Sequence, residues 1–157
     1  GYPASVFEQL PLLLERPGRV KQGSITAFYT VLLESEEEAD PIGDEIRSIL
    51  DGHIYLSHKL AGRGHYPAID ILHSISRVFQ KVTTPEHRQF AVDIRENLSR
   101  LEQIKLYLEL GEYQRGESQE NDRALDKQQD INHFLQQNMD ESEGFEEMLA
   151  QLHHLAS

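Results

Sequence analysis

The chain contains no cysteine among its 157 residues. Disulfide bonds and thiolate zinc sites are therefore excluded, and this composition is typical of a cytosolic protein. No stretch of the sequence reaches the roughly 18 consecutive apolar residues that a membrane-spanning helix needs. A charged segment followed by an apolar one is also missing at the N-terminus, so the sequence predicts no signal peptide.

Positive charge is scarce, since 15 Lys and Arg residues face 27 Asp and Glu residues and the net charge is −12. This balance argues against binding to nucleic acid or to an anionic membrane surface, because little could neutralise phosphates. The charge is also uneven along the chain. Residues 84–157 hold 16 acidic and 7 basic residues, whereas residues 1–83 hold 11 and 8. The shift predicts a domain boundary near Thr83-Thr84-Pro85.

The first 83 residues predict a mixture of strands and helices. Residues 24–34 are apolar on both alternating faces, which is typical of a strand that is covered on both sides of a parallel sheet. Asp40 and Pro41 predict the start of a helix, and Gly52 ends it before a second buried strand at residues 53–57. Together these elements predict one βαβ unit. The apolar positions at helical spacing are Val6, Phe7, Leu10, Leu13 and Leu14 in an earlier helix, and Ile42, Ile46, Ile49 and Leu50 in this one.

The remaining residues predict helices alone. Thr84 caps and Pro85 begins a long helix that ends at Gly111, and its pattern leaves open whether it breaks near residues 101–103. The polar residues 112–121 predict a loop, and two more helices follow. The apolar stripes of the three helices are most simply the core of a small bundle. They consist of Phe90, Ile94, Leu98, Leu101, Ile104 and Leu108; of Ala124, Gln128, Ile131 and Leu135 with Phe134 beside them; and of Phe145, Met148, Leu149, Leu152 and Leu155.

Four motifs suggest a known family. They are Gly1-Tyr2-Pro3-Ala4-Ser5, Gly23-Ser24-Ile25-Thr26-Ala27-Phe28-Tyr29, Asp51-Gly52-His53-Ile54-Tyr55-Leu56-Ser57 and Arg63-Gly64-His65-Tyr66-Pro67-Ala68-Ile69-Asp70-Ile71-Leu72-His73-Ser74-Ile75-Ser76-Arg77. The last motif offers an aromatic ring, a carboxylate, hydroxyls and a guanidinium, and its Gly and Pro prevent a continuous helix. In this order the motifs resemble the ATPases of type III secretion systems, which are relatives of the catalytic subunits of rotary ATP synthases. The resemblance covers the whole chain.

The resemblance implies a fold in two parts. Residues 1–83 are expected to be the α/β end-piece of a RecA-like nucleotide-binding domain, and residues 84–157 an all-α C-terminal helical domain. The Gly-x-x-x-x-Gly-Lys-Ser/Thr phosphate loop of that chemistry does not occur in the sequence. We therefore expect the chain to be the C-terminal third of such an ATPase, with ATP and Mg²⁺ used by the full-length enzyme and neither held tightly by this part. Residues 106–114 look more like the virulence branch than the flagellar one.

The family resemblance also implies roles for single residues. Tyr66 is expected to stack on the adenine of bound nucleotide, since a base offers a flat π-face to an aromatic ring. The alternative is a Tyr that packs under the rim of the domain. Arg77 resembles an arginine finger that reaches the γ-phosphate bound by the neighbouring subunit of a homohexamer. The alternative is a structural Arg that ties a helix start to a carboxylate such as Asp70.

Two further segments match the family more loosely. Phe134 and Met139 align with a segment that closes the adenine pocket, although Met139 stands where an aromatic residue is expected and Phe134 is equally explained as core. The acidic loop 111–122 occupies the place of the loop that contacts the central stalk, for which four carboxylates suit a basic partner. An ordinary solvated loop is the alternative.

The eight His residues predict no metal site. His53 with His58, and His153 with His154, lack the spacing and the flanking acids of a zinc site, and His-Glu-x-x-His is absent. Two functions remain open. The first is the C-terminal part of a hexameric ATPase that releases or unfolds chaperone-bound effectors in the bacterial cytoplasm, peripheral to the inner membrane at the secretion apparatus. The second is a non-catalytic helical module in residues 84–157 that binds chaperone–effector complexes or the stalk.

Overall fold

A computed structural model describes residues 3–33 and 40–156 of the chain. Seven helices and four short strands follow one another in these residues, which form two compact units, residues 1–53 and residues 54–157. No helix in the described ranges combines the length and the hydropathy that crossing a membrane requires. The elements are α1 (Ala4–Leu14), β1 (Gly18–Val20), β2 (Gly23–Ile25), α2 (Pro41–Ile49), β3 (Gly52–Leu56), α3 (His58–Gly62), β4 (Ile69–Ser76), α4 (Phe79–Val82), α5 (Pro85–Leu110), α6 (Gln119–Leu135) and α7 (Phe145–Ala156).

The first unit contains α1, an antiparallel hairpin of β1 and β2, and α2. The start of α2 confirms the prediction from Asp40 and Pro41. The Asp40 carboxylate accepts hydrogen bonds from the backbone N–H groups of Ile42 and Gly43 at 2.8 and 3.1 Å. These bonds satisfy donors that the first turn of a helix leaves unpaired, and Pro41 has no N–H to satisfy.

The long strand predicted at residues 24–34 is wrong for most of its length. Only Ser24 and Ile25 lie in a strand, β2, whereas residues 26–33 have no regular structure and Glu34 lies outside the described residues. Phe28 and Leu32 are 90% and 91% exposed. A strand needs a hydrogen-bonded neighbour, and among the described strands β2 pairs with β1 and β3 with β4. The predicted βαβ unit is therefore not formed.

The helical prediction for the second half is confirmed. The side chains of Ile94, Ile131 and Leu152 form a buried cluster between α5, α6 and α7. The helix α5 is unbroken over 26 residues, which decides the question left open at residues 101–103. Gly111 ends it with a φ of 70°, a conformation in which glycine is not strained. The partly buried side chains around the cluster are Phe90, Leu98, Phe134, Leu135, Leu149 and Leu155.

Candidate functional site

Tyr66 lies in the loop between α3 and β4. Ser57 caps α3 by accepting a hydrogen bond from the N–H of Lys59 at 3.2 Å. After α3 the chain turns through Gly64, whose φ of 74° favours glycine. The N–H of His65 then donates to the Leu60 carbonyl at 3.1 Å, which returns the chain toward the helix. The Tyr66–Pro67 peptide bond is cis, and 58% of Tyr66 is exposed.

The loop of Tyr66 meets the segment that follows α6. The backbone N–H of Gln137 donates to the carbonyl oxygen of Tyr66 at 2.9 Å. Next to this bond, the side-chain amide of Gln136 lies 3.4 Å from Nδ1 of His65. These residues are about 70 positions apart in the sequence, and their backbone contact fixes the Tyr66 loop against the end of the helical bundle.

The two residues predicted to accompany Tyr66 have different surroundings. Phe134, in the last turn of α6, is partly buried and packs against the core cluster of Ile94, Ile131 and Leu152. Met139 is fully exposed. The adenine-pocket role of both residues stays a prediction.

A short carboxylate cap orders the segment around Met139. Glu141 accepts hydrogen bonds from the backbone N–H and the side-chain amide of Asn138, both at 2.8 Å. Both bonds favour the charged carboxylate and therefore lower the pKa of Glu141 below its ordinary value, and the bond from the backbone N–H has the larger effect. Sequence reasoning missed this cap, although an Asn three residues before a Glu has the spacing of a capping box.

Arg77 is exposed in the two-residue turn between β4 and α4. The strand before it is bent. The Asp70 carboxylate accepts the N–H groups of Leu72 and His73 at 3.0 and 3.1 Å, and it lies 2.9 Å from Nδ1 of His73. Residues three apart in a regular strand are about 10 Å apart and cannot make such contacts. Asp70 therefore holds a bend in β4, seven residues before Arg77.

The loop between α5 and α6 is ordered by Tyr113 and Asp122. The Tyr113 hydroxyl donates to the Asp122 carboxylate at 2.9 Å, and the Gly116 N–H donates to the other carboxylate oxygen at 2.8 Å. Burial, together with the Asp122 carboxylate, raises the pKa of Tyr113. The loop is shorter than predicted, because α6 begins at Gln119 behind a Ser118 cap. Two of its carboxylates, Glu112 and Glu117, are exposed.

Metal ligands do not gather in the part of the chain that the structure describes. No three His, Asp or Glu side chains of residues 3–33 and 40–156 lie together in a way that could hold an ion.

Comparisons with known proteins connect this geometry to a family. Residues 1–76 match the nucleotide-binding domain of the ATP synthase alpha/beta family, and residues 83–154 match the C-terminal domain of the type III secretion ATPase EscN. The SPI-1 type 3 secretion system ATPase of Salmonella typhi is 58% identical over 156 residues, which are 99% of this chain and 36% of that protein.

Two solved structures of EscN from enteropathogenic E. coli are also similar. The assembled ATPase superimposes with a TM-score of 0.95 at 44% identity, over 99% of this chain and 38% of that one. The assembled ATPase in complex with its central stalk EscO has a TM-score of 0.90 at 43% identity, over 100% of this chain and 37% of that one. The chain thus spans about a third of the length of the relatives it matches. It belongs to the type III secretion system ATPase family, of whose members it corresponds to the C-terminal third.

Proposed function

We propose that this chain is part of a homohexameric ATPase that hydrolyses ATP with Mg²⁺ to drive type III protein secretion. The observation that carries the proposal is the hydrogen bond between the Gln137 N–H and the Tyr66 carbonyl. It brings the Tyr66 loop to the segment that the family resemblance assigns to the same adenine pocket. The 58% identity to a secretion ATPase supports the virulence branch of the family.

Tyr66 supplies the stacking surface for adenine in this proposal. Its exposed ring stands on a loop whose backbone is fixed by His65 on one side and by Gln137 on the other. A fixed ring loses little conformational freedom when a base stacks on it. Met139 is the residue of the adjacent segment that is free to cover the base, and Phe134 supports that segment from the core.

Arg77 supplies the arginine finger. It is exposed in a turn behind the bend that Asp70 holds. A planar, permanently charged guanidinium suits the charge that spreads over the phosphoryl oxygens during transfer. In a homohexamer the finger and the adenine Tyr of one chain serve two different nucleotides.

The isolated chain is expected to neither hydrolyse ATP nor bind it tightly. Backbone amides of a phosphate loop supply much of the affinity for nucleotide phosphates, and the sequence contains no such loop. In this proposal the residues that hold Mg²⁺, like the phosphate loop, belong to a part of the full-length protein outside this sequence. Calorimetric titration of the isolated chain with ATP tests this expectation, and micromolar binding would contradict it.

Residues 84–157 form the docking domain in this proposal, and residues 1–83 the end of the ATPase domain. The loop 111–122 faces the central stalk, a role supported by the similar EscN that was solved in complex with its stalk. Chaperone–effector complexes bind the helical domain, and the assembly stands at the cytoplasmic face of the secretion apparatus, peripheral to the bacterial inner membrane.

A second candidate function is a purely non-catalytic helical module. Its support is the C-terminal end of α5, where Leu106 and Leu110 are each 61% exposed beside the 111–122 loop. Such apolar side chains next to exposed carboxylates suit a protein partner. The two candidates differ in whether Arg77 contributes to hydrolysis.

Arg77→Ala in the full-length protein separates them. The variant should still form hexamers and bind ATP, but its turnover should fall by about 10³- to 10⁵-fold, the range for removing such a finger. Arg77→Lys should recover little, because an ammonium is a point charge and not a fork. Arg100→Ala is the control, since Arg100 pairs with the exposed Glu120 at 2.7 Å on the surface of α5.

Mixed hexamers then test whether Arg77 acts on a neighbour. Arg77→Ala subunits and subunits with a dead phosphate loop are each inactive alone. Their mixture rebuilds interfaces that join an intact phosphate loop to an intact Arg77. Partial recovery of hydrolysis supports action across the interface, whereas no recovery in hexamers shown by mass to be mixed would make Arg77 a structural residue of its own subunit.

A further inference from the structure

The segment that holds Arg77 connects the strand β4 to the helix α5. It runs from the end of β4 through the turn at Arg77 and the four-residue helix α4 to Thr83. Carbonyl oxygens in such a connection need donors from elsewhere, because an unpaired polar group away from water is unfavourable.

Two arginines of α5 supply those donors. Nη2 of Arg95 donates to the carbonyl oxygen of Ser74 at 2.7 Å. Nη1 of Arg88 donates to the carbonyl oxygens of Gln80 and Thr83, both at 2.8 Å. Arg88 and Arg95 are seven residues apart and so lie on one face of α5.

Arg77 lies midway between the two points of attachment. It follows Ser74 by three residues and precedes Gln80 by three. The Ser74 hydroxyl is itself held, since it accepts the N–H of Tyr55 from β3 at 2.9 Å and donates to the Asp70 carbonyl. Ser74 thus joins the bend of β4 to β3 and to α5.

The bonding of these arginines differs from that of their neighbour on the same helix. Arg100 forms a surface ion pair with Glu120, of the kind that contributes little. All three arginines are partly buried, but Arg88 and Arg95 use their charged donors on neutral carbonyl oxygens. Charge-assisted bonds of this kind are stronger and more directional than neutral ones.

We propose that Arg88 and Arg95 are positioning residues for Arg77, and that α5 thereby sets the orientation of the arginine finger. The inference rests on the proposed role of Arg77 in hydrolysis. It gives the helical domain a part in the ATPase reaction that a docking surface does not have, because the segment on each side of Arg77 is bonded to α5, the longest helix of that domain.

The test uses full-length hexamers that contain Arg95→Ala, Arg88→Ala, Arg95→Lys or, as control, Arg100→Ala. We expect kcat to fall by about 10- to 100-fold in the two Ala variants, the scale of a misplacement of about 1 Å in a reacting group. KM for ATP and the hexamer mass should change little. Lys should recover part of the loss at position 95, since its ammonium can still donate to one carbonyl, and Arg100→Ala should behave as the wild type.

Subunit mixing distinguishes positioning from general destabilisation. Arg95→Ala subunits should regain hydrolysis when mixed with subunits that have a dead phosphate loop, but not when mixed with Arg77→Ala subunits, because both variants damage the same side of the interface. Recovery in the mixture with Arg77→Ala would overturn the inference. If Arg95→Ala fails to assemble, Arg88→Ala and Arg95→Lys are mixed in the same way.

The inference also fails if both Ala variants turn over at the rate of Arg100→Ala while Arg77→Ala is inactive. That result leaves the proposed function intact. If Arg77→Ala itself keeps full turnover, the proposed function is wrong. The inference about Arg88 and Arg95 is then wrong as well, because it rests on the role of Arg77 in hydrolysis.

Discussion

The bundle of α5, α6 and α7 and the apolar residues 26–33 differ in what surrounds their side chains. In residues 54–157 the side chains of Ile94, Ile131 and Leu152 are buried against one another. In residues 1–53, Phe28 and Leu32 are almost fully exposed. An apolar sequence therefore predicts a core only where the same chain supplies the opposite surface. The helices α5, α6 and α7 supply it for one another, whereas residues 26–33 have no neighbour among the described strands.

Cutting the chain between residues 83 and 84, within the second compact unit and just before the bundle, tests this difference with the largest expected effect. Residues 84–157 should fold alone, because α5, α6 and α7 bury their apolar faces against each other. Residues 1–83 should aggregate, because apolar side chains and strand edges stay unprotected. Circular dichroism and light scattering on the two pieces measure the outcome. Amide exchange in the whole chain that protects β2 and β3 more than the three helices would contradict it.

A matched pair of truncations tests the same difference within the intact chain. Ile131→Ala should lower the free energy of unfolding by about 2–5 kcal/mol, the range for removing a fully buried aliphatic side chain. Leu32→Ala should change it by no more than about 0.5 kcal/mol, as is usual for exposed positions. Denaturant titration of both variants gives the values. Equal losses would mean that Leu32 is packed in solution.

Tyr66 sharpens the comparison, because it is an exposed residue of the well-packed unit. In the full-length protein, Tyr66→Ala should weaken nucleotide binding by about 1–3 kcal/mol, the value of one base–aromatic stack. The melting temperature should stay nearly unchanged. Tyr66→Phe should bind as the wild type does, since stacking uses the ring and not the hydroxyl. If Phe weakens binding as much as Ala, the stacking assignment is wrong.

Glu141 gives the smallest effect, limited to one segment. Its pKa in the folded chain is lowered by the hydrogen bonds from Asn138, so the cap is fully formed above the ordinary pKa of the carboxylate, 4.5. It is lost as the pH falls through the lowered value. In the wild-type chain the amide resonance of Asn138 should change its chemical shift over that acidic range. In the Glu141→Gln variant the same resonance should not change with pH. Core resonances such as that of Ile131 should stay constant in the same range, and a common transition would mean global unfolding.

The sequence predicted best where local chemistry decides the structure. Asp40 before Pro41 and Thr84 before Pro85 begin helices as predicted, because a capping oxygen satisfies the N–H groups of the first turn whatever lies around it. Most of the bundle core also followed from its spacing, but Leu108, Gln128 and Phe145, which belong to the predicted stripes, are exposed. Residues 26–33 failed because alternation of apolar residues describes the faces of a strand but not the presence of a neighbour to bond with.

The site was predictable in its motifs but not in its contacts. The exposed positions of Tyr66 and Arg77 agree with their proposed roles, which stay predictions. No pattern in the sequence joins Gln137 to Tyr66 or Arg95 to Ser74, since these bonds connect backbone groups to residues far along the chain. Backbone carbonyls are the same at every position, so only the three-dimensional arrangement selects them as partners.

The unbroken α5 has a mechanical consequence. At about 1.5 Å per residue its 26 residues extend over roughly 39 Å. One end is bonded to the segment around Arg77 and the other continues into the loop ordered by Tyr113 and Asp122. A tilt of about 3° pivoted at the loop end would displace the other end by about 2 Å. If α5 positions Arg77 as proposed, a small angular push at the loop would therefore change how far this one guanidinium reaches.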